Sequence, residues 1–501
     1  MKRANLILLT ACLALPVCAA ENPFTPPNFP IPQFPGKTLN VKTFGATGGG
    51  AVNDTPAIDR AVAACNAAGG GTVFFPAGRY AAASIHLMSN VRLLLDRDAV
   101  IFGGPRADFD KPERNPFDKY QDFGHGHFHD SLMWGAGITN FAVEGGTING
   151  GTIGHGDPKR GGGDKLITVV MGKGLLFKNV THDKGGHFAY LLNDCRDVTL
   201  DHVVIRESRD AVDLMSCSDV QIHDCRFTGC ADDTIGVKSD FALGRKIESA
   251  NIYVWDSYFE SGCNGLQFGS ETAGDFHNVN FWNIGIGRAM KAGIGVTTGD
   301  GAIIDDVNYS NIDIRGAACP IYMLVWSRLR TGVPHAQPGA IENVRIEDVT
   351  VSHCMAGRQG PVMTAAISGL PGHPLRNITL ENVKIAYPGG DMNSSDAEIE
   401  PPYMHGGGSY SPRNLGPRPA AGLYVRNADG LTLKNVQFTF AQPDARPALV
   451  ANHVNGLTLD GFAAPKSTGG QIVRLASVRD LTVENSPGLK DAGTGMATGG
   501  R

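Results

Sequence analysis

RDVTLDHVVI (196–205) and SDVQIHDCRF (218–227) are two copies of one phrase. Each has a polar turn, a short alternating apolar strand, an Asn or Asp bend, and a second short strand. The phrase returns as ANIYVWDSYF (250–259), HNVNFWNIGI (277–286), DDVNYSNIDI (305–314) and ENVRIEDVTV (342–351). It continues through RNITLENVKI (376–385), DGLTLKNVQF (429–438), NGLTLDGFAA (455–464) and RDLTVENSPG (479–488). Spacing starts at roughly 22 residues and lengthens where loops enter, the range that marks a solenoid. One phrase cannot bury its apolar face alone, whereas stacked copies make a continuous core. Short β-branched strands with no helices between them predict a parallel β-helix.

Working outward, TPAIDRAVAACNAA (55–68) is the best amphipathic helix of the chain. Thr55 suits an N-cap, Pro56 the first helical position, and glycines follow its end. It fits as the cap that a solenoid end requires. The expected organisation is a signal peptide over 1–20, a Pro-rich lead over 21–37 and a single β-helix domain over 38–501, interrupted by a loop near 387–420. The opening MKRANLILLTACLALPVCAA has the basic, apolar and small-residue regions of an export signal, so the mature protein is expected to be secreted or periplasmic. "LTAC", ending at Cys12, resembles a lipoprotein box but follows a short apolar run.

The composition is that of a turn-rich globular protein: 19% charged, 42% hydrophobic, with 65 glycines and 29 prolines. A formal net charge of −5 gives no reason to expect nucleic acid, and no later segment is apolar and long enough to span a bilayer. A monomer is expected. Cys195 and Cys217 hold the same place in consecutive phrases, so they are expected to stack as a reduced ladder.

SRDAVDL (208–214) precedes one phrase and CADDTIGVKS (230–239) follows it. Asp210 and Asp232 therefore lie about one coil apart, and Asp210, Asp232 and Asp233 are expected to cluster. A lone Asp in such a chain is usually a solvated turn residue. Three aligned carboxylates, two of them inside an apolar run, point to function. Crowding and burial raise at least one pKa, the arrangement that glycoside hydrolysis needs in an acid and a base. Calcium ligation is the second reading, because carboxylates are hard-oxygen ligands.

The stretch 208–239 resembles the centre of glycoside hydrolase family 28, the polygalacturonase family, whose wording is NTDGxD followed about one coil later by GDDCIAIKS. FGATGGG…PAGRY (44–80), GGTINGG (145–151), FGSETAGDFHNV (268–279) and PDARPALV (443–450) extend the likeness along nearly the whole chain, the last two toward a bacterial branch. The resemblance implies a right-handed parallel β-helix and metal-free, inverting hydrolysis of a pectic glycan. Asp232 would be the general acid, Asp210 and Asp233 would hold the attacking water, and Asp213 and Lys238 would support them. The carboxyls would stand about 6.5–9.5 Å apart. No cofactor is implied.

Four departures bear on substrate. Asn-Thr of the NTD motif is Ser208-Arg209, and GDDC is ADDT, with Ala231 and Thr234. The family's GHG is CNG, with Asn264, and its cationic RIK triplet has no clean counterpart: GLQ stands there, ending at Gln267. Arg288 and Lys291 in GRAMKAG, or Arg328 and Arg330 in VWSRLR, are the candidates to meet a uronate carboxylate. His125, His127, His129 and Asp130 form a loop expected to rim the cleft without metal. The 387–420 insert is expected to wall one end, favouring exo action, with Tyr403, His405 or Arg413 at the sugar. A polysaccharide lyase on the same scaffold and a non-catalytic glycan-binding β-helix are the rival classes.

Overall fold

A computed structural model describes residues 25–122, 124–154, 164–358, 360–390, 400–406, 410–489 and 496–499. The expected signal peptide lies outside them. Within them, parallel strands pair coil upon coil in one continuous sheet. The repeated phrase explains why. Val198, Val220, Ile252, Val279, Val307, Val344, Ile378, Leu431 and Leu457 occupy one register position in nine successive coils. All nine are buried, so each coil covers the apolar face of the one before.

The Asn and Asp bends are the second device. Asn283, Asn311, Asp348, Asn382 and Asn435 each take a left-handed backbone near φ 50°. Short polar side chains tolerate that conformation and bond locally. Here they also bond between coils: Asn311 donates to Asn283 at 3.0 Å, Asn382 to Asp348 at 2.9 Å and Asn435 to Asn382 at 3.0 Å. These bonds tie the corner of one coil to the corner of the next.

Helix α1 (Thr55–Ala67) closes one end, burying Ala57, Ile58, Ala61, Val62 and Cys65. Its N-cap is Asp54, one residue earlier than expected, with Pro56 inside the first turn. The shift has a cause. The Thr55 hydroxyl is used elsewhere, accepting the Ala83 amide at 2.7 Å, while the Asp54 carboxylate holds the preceding turn through the Thr47 and Gly48 amides. The lead over 25–36 lies along the flank without regular structure. Phe29 packs on Tyr253, and Gln33 exchanges hydrogen bonds with Asn140.

Cys195 and Cys217 stack as neighbouring free thiols, each donating to a carbonyl one coil back (Val169 and Leu192), and all eight described cysteines are free and buried. Among the described residues no helix is long and apolar enough to cross a membrane.

The site is built on four consecutive strands of one column: β1 (Phe188–Asn193), β2 (Asp210–Met215), β3 (Ile235–Ser239) and β4 (Leu266–Thr272). A test of the stacking model is Leu380→Ala, which empties one register position between Ile346 and Leu433. It is expected to lower unfolding free energy by about 3 kcal/mol in a denaturant titration, the cost of an unfilled core cavity.

Candidate active site

Why both members of an adjacent aspartate pair face one spot follows from register. Ser208 bridges Cys230, and Val212 pairs with Ile235. Three residues, 209–211, therefore face four, 231–234. The extra residue is a local bulge, which re-aims side chains that would otherwise alternate. The Asp233 amide donates to an Asp210 carboxylate oxygen at 3.0 Å, and the Asp232 amide donates to the Arg209 carbonyl at 2.7 Å. The next coil follows without a further shift, because Cys230 pairs with Ser261 and Ile235 with Leu266. Cys263 therefore stacks on Asp232 and Asn264 on Asp233. The Asn264 amide side chain donates to Asp233 at 2.7 Å. One coil further on, Lys291 follows Cys263, its amide bonding the Cys263 carbonyl.

The structure thus gathers Asp210, Asp232, Asp233, Asn264, Lys238 and Lys291 in one place. Lys238 lies beneath them, 2.7 Å from Asp213 and 3.8 Å from Asp233. A Cβ at Gly236 would stand 2.4 Å from Asp213 Oδ1 and 2.7 Å from the Lys238 chain, so only glycine leaves room for this buried pair. Single oxygens of Asp232 and Asp233 and the Cys263 sulfur come within 4.8 Å of one another, closer for the two carboxylates than the expected separation of about 6.5–9.5 Å. That donor set suits calcium poorly: one of the three is a soft thiol, and Arg209, Lys238 and Lys291 add positive charge around it.

Other expected residues are placed differently. Gln267 is buried on the face that Asp213 shares and donates to the Phe268 carbonyl and to Thr297 at 3.3 Å. Arg288 is exposed, on the strand position that pairs with Glu260. Arg328 is held by Asp300 and by the Ser270 carbonyl at 2.6 Å, and Arg330 by Asp122 and Glu271. Both guanidiniums are engaged by the protein's own acids. The histidine loop splits apart. His125 reaches Glu271 at 3.2 Å and Asp213 at 3.9 Å, His127 lies 3.1 Å from Asp118, His129 stacks on Trp134, and Asp130 pairs with Lys165.

Three contributors were not singled out by sequence reasoning. Tyr410, from the insert, covers Lys291 with its ring 3.7 Å from the ammonium. Tyr403 instead lies over Arg426, and His405 bridges Ser327. Cys263 places its thiol within 4.8 Å of an Asp232 oxygen and helps hold that carboxyl low. Arg209, visible only as a departure from a motif, ion-pairs with both Asp210 and Asp232, the latter at 2.8 Å. A cavity of about 730 Å³ is walled in part by the insert itself, lined by Val362, Met363, Tyr387, Arg413 and Arg418, and the carboxylates are not part of it.

The electrostatics divide the cluster. Burial pushes Asp210 well above the usual carboxylate range, against the pull of Arg209 and with a further push from Asp232. Burial and then the Asp232 charge raise Asp233 as well. Burial also acts on Asp232, but Arg209, the Cys263 thiol, Lys291 and Lys238 outweigh it and hold this carboxyl low. Desolvation opposes the Lys238 charge, yet Asp213 and Asp210 leave its pKa well above the ordinary value.

A family model described as "Glycosyl hydrolases family 28" matches residues 117–402, more than half of the chain. The protein belongs to that family. A second model, "Rhamnogalacturonase A/epimerase, pectate lyase-like", matches residues 38–96, the capping segment. A probable polygalacturonase of Vitis vinifera is 24% identical over 382 residues, covering 70% of this chain and 74% of that protein. Among solved structures, the family 28 exopolygalacturonase of Yersinia enterocolitica superposes with TM-score 0.51 at 14% identity, covering 89% of this chain and 78% of that one. The polygalacturonase of Erwinia carotovora gives TM-score 0.50 at 19% identity, with 73% and 96% covered. The fold is that of these right-handed β-helices, and the protein is a glycoside hydrolase of the polygalacturonase type.

Asp240, at the end of this column, is bonded by Asn193 and the Ala242 amide, yet burial raises its pKa to about 6. A carboxyl raised on folding costs stability as pH climbs from its unfolded value near 4 to its folded one. Asp240→Asn does not titrate, so its stability relative to the parent should rise between pH 4 and pH 7. The gain is up to about 2–3 kcal/mol by denaturant titration.

Proposed function

We propose that the protein is an exported, exo-acting hydrolase of pectic glycans, working by inversion with Asp232 as general acid and Asp210 and Asp233 as the pair that holds and activates water. The carrying observation is the register bulge that sets Asp232 and Asp233 against Asp210 across one coil step. Family membership supplies the reaction class. Exo action is supported by Tyr410, which brings the insert down onto Lys291, two coils from Asp232, and so narrows the groove on that side. The substrate is an acidic sugar or a neighbouring pectic linkage. The polygalacturonase likeness favours the first, and the altered cation set bears on which.

Reducing-sugar release from homogalacturonan, rhamnogalacturonan and their oligomers tests the reading. Activity should persist in chelator and fall by about a thousandfold or more in Asp232→Asn, the loss expected on removing a proton donor. Loss in chelator, or an unsaturated ultraviolet-absorbing product, would point to a lyase. An unchanged Asp232→Asn rate would end the assignment. Parent enzyme should release mono- or disaccharide from the outset, and Tyr410→Ala should lengthen the early products seen by chromatography.

A further inference from the structure

We propose that Arg209 reads the carboxylate of the substrate, and that taking hold of it releases Asp232 to carry the proton for the leaving oxygen. This rests on the hydrolase reading above.

The guanidinium of Arg209 is a fork with two unequal arms. Nη1 holds Asp210, whose side chain is 2% exposed, and lies 3.4 Å from His187 Nε2. Nη2 holds Asp232 at 2.8 Å, where the arginine is 32% and the aspartate 27% exposed. Below, the Phe188 ring centre is 6.0 Å from the guanidinium carbon. The Asp210 arm is therefore an anchor. The Asp232 arm joins two groups that both touch solvent, so an incoming carboxylate can replace Asp232 on Nη2 without stranding a buried charge.

Four neighbouring cations are less free to do this, and a fifth, the exposed Arg358, reaches the site at the Ala231 carbonyl, 3.3 Å away, rather than at a carboxylate. Lys238 is buried between Asp213 and Asp233, Lys291 lies against Tyr410, and Arg328 and Arg330 are held by Asp300, Glu271 and Asp122. Gln267 is neutral and is engaged by the Phe268 carbonyl and by Thr297. Arg209 presents a planar donor pair, the geometry that matches a carboxylate.

The proton follows from the same exchange. While Arg209 holds it, Asp232 is kept ionised and cannot act as an acid. The groups around the pair are His187 from the turn before β1, Asp210 and Asp213 on β2, Cys230, Asp233 and Lys238 around β3, Cys263 before β4, Lys291 one coil on, Glu271 on β4, Tyr410 from the insert and Arg358, which donates to the Ala231 carbonyl. When Nη2 turns to the substrate, desolvation and the Asp233 charge act on Asp232 against a weaker opposition. It then takes one proton from solvent. In the hydrolytic step that proton goes to the leaving oxygen as the glycosidic bond breaks. The attacking water gives its own proton to the Asp210–Asp233 pair, which returns it to solvent.

Galacturonic acid, which has no glycosidic bond to cleave, is the probe, with its methyl ester as the uncharged control. Both are titrated calorimetrically in two buffers of different ionisation enthalpy. Wild type should bind the acid at least about tenfold more tightly than the ester and take up about one proton per sugar. Arg209→Gln should lose about tenfold for the acid, little for the ester, and the proton uptake. Arg209→Lys, which keeps the charge without the fork, should fall between them and serves if the glutamine variant does not fold. No preference for the acid in wild type, or a preference that survives in Arg209→Gln, would overturn carboxylate reading; binding without proton uptake would overturn the release of Asp232. Acid-selective binding by a protein that hydrolyses no pectic glycan would instead count against the proposed function alone.

Discussion

Stacking in register, with each coil about 4.8 Å above the last, is the constraint from which the rest follows. It makes the apolar column possible, since a residue in one coil meets its counterpart in the next. It also makes the candidate active site possible, since groups far apart in sequence become vertical neighbours. The site departs from that rule at one point, where 209–211 face 231–234. Without the extra residue, Asp232 and Asp233 would alternate in direction, as neighbours on a strand do.

The clustering of like charges is sustained by what surrounds it. Asp210, Asp213, Asp232 and Asp233 are met by Arg209, Lys238 and Lys291, and Asn264 donates to Asp233. The result is an unequal sharing of protons, with Asp210 and Asp233 pushed up and Asp232 held down. Buried charge of this kind contributes little net stability, because desolvation offsets attraction. Its presence here fits the proposed chemistry, in which one group gives a proton and another accepts one.

Much of this was legible before any coordinates. The repeat phrase reports the coil because its period is set by backbone geometry. Asp210 and Asp232 could be aligned by counting, as could Cys195 and Cys217. The placement of Arg328, Arg330 and Gln267 was not legible. Which acid an arginine chooses depends on Asp300, Asp122 and Glu271, brought together from separate segments. Arg209 showed itself as a broken motif, but its two partners depend on the depth of Asp210 and the openness of Asp232. Tyr410 sits in a Gly- and Pro-rich insert with no periodicity, so no pattern distinguished it from Tyr403.

The asparagine corner has a consequence for how such a protein changes over generations. Asn311 and Asn283 are 28 residues apart and bonded at 3.0 Å; Asn435 and Asn382 are 53 apart and bonded at the same distance. The scaffold measures height and ignores chain length between corners. Segments such as the one that carries Tyr410 can therefore lengthen, shorten or be exchanged while the carboxylate column stays where it is. New rims can be fitted to an old reaction centre, so divergence in what enters the groove need not wait for divergence in the chemistry at its floor.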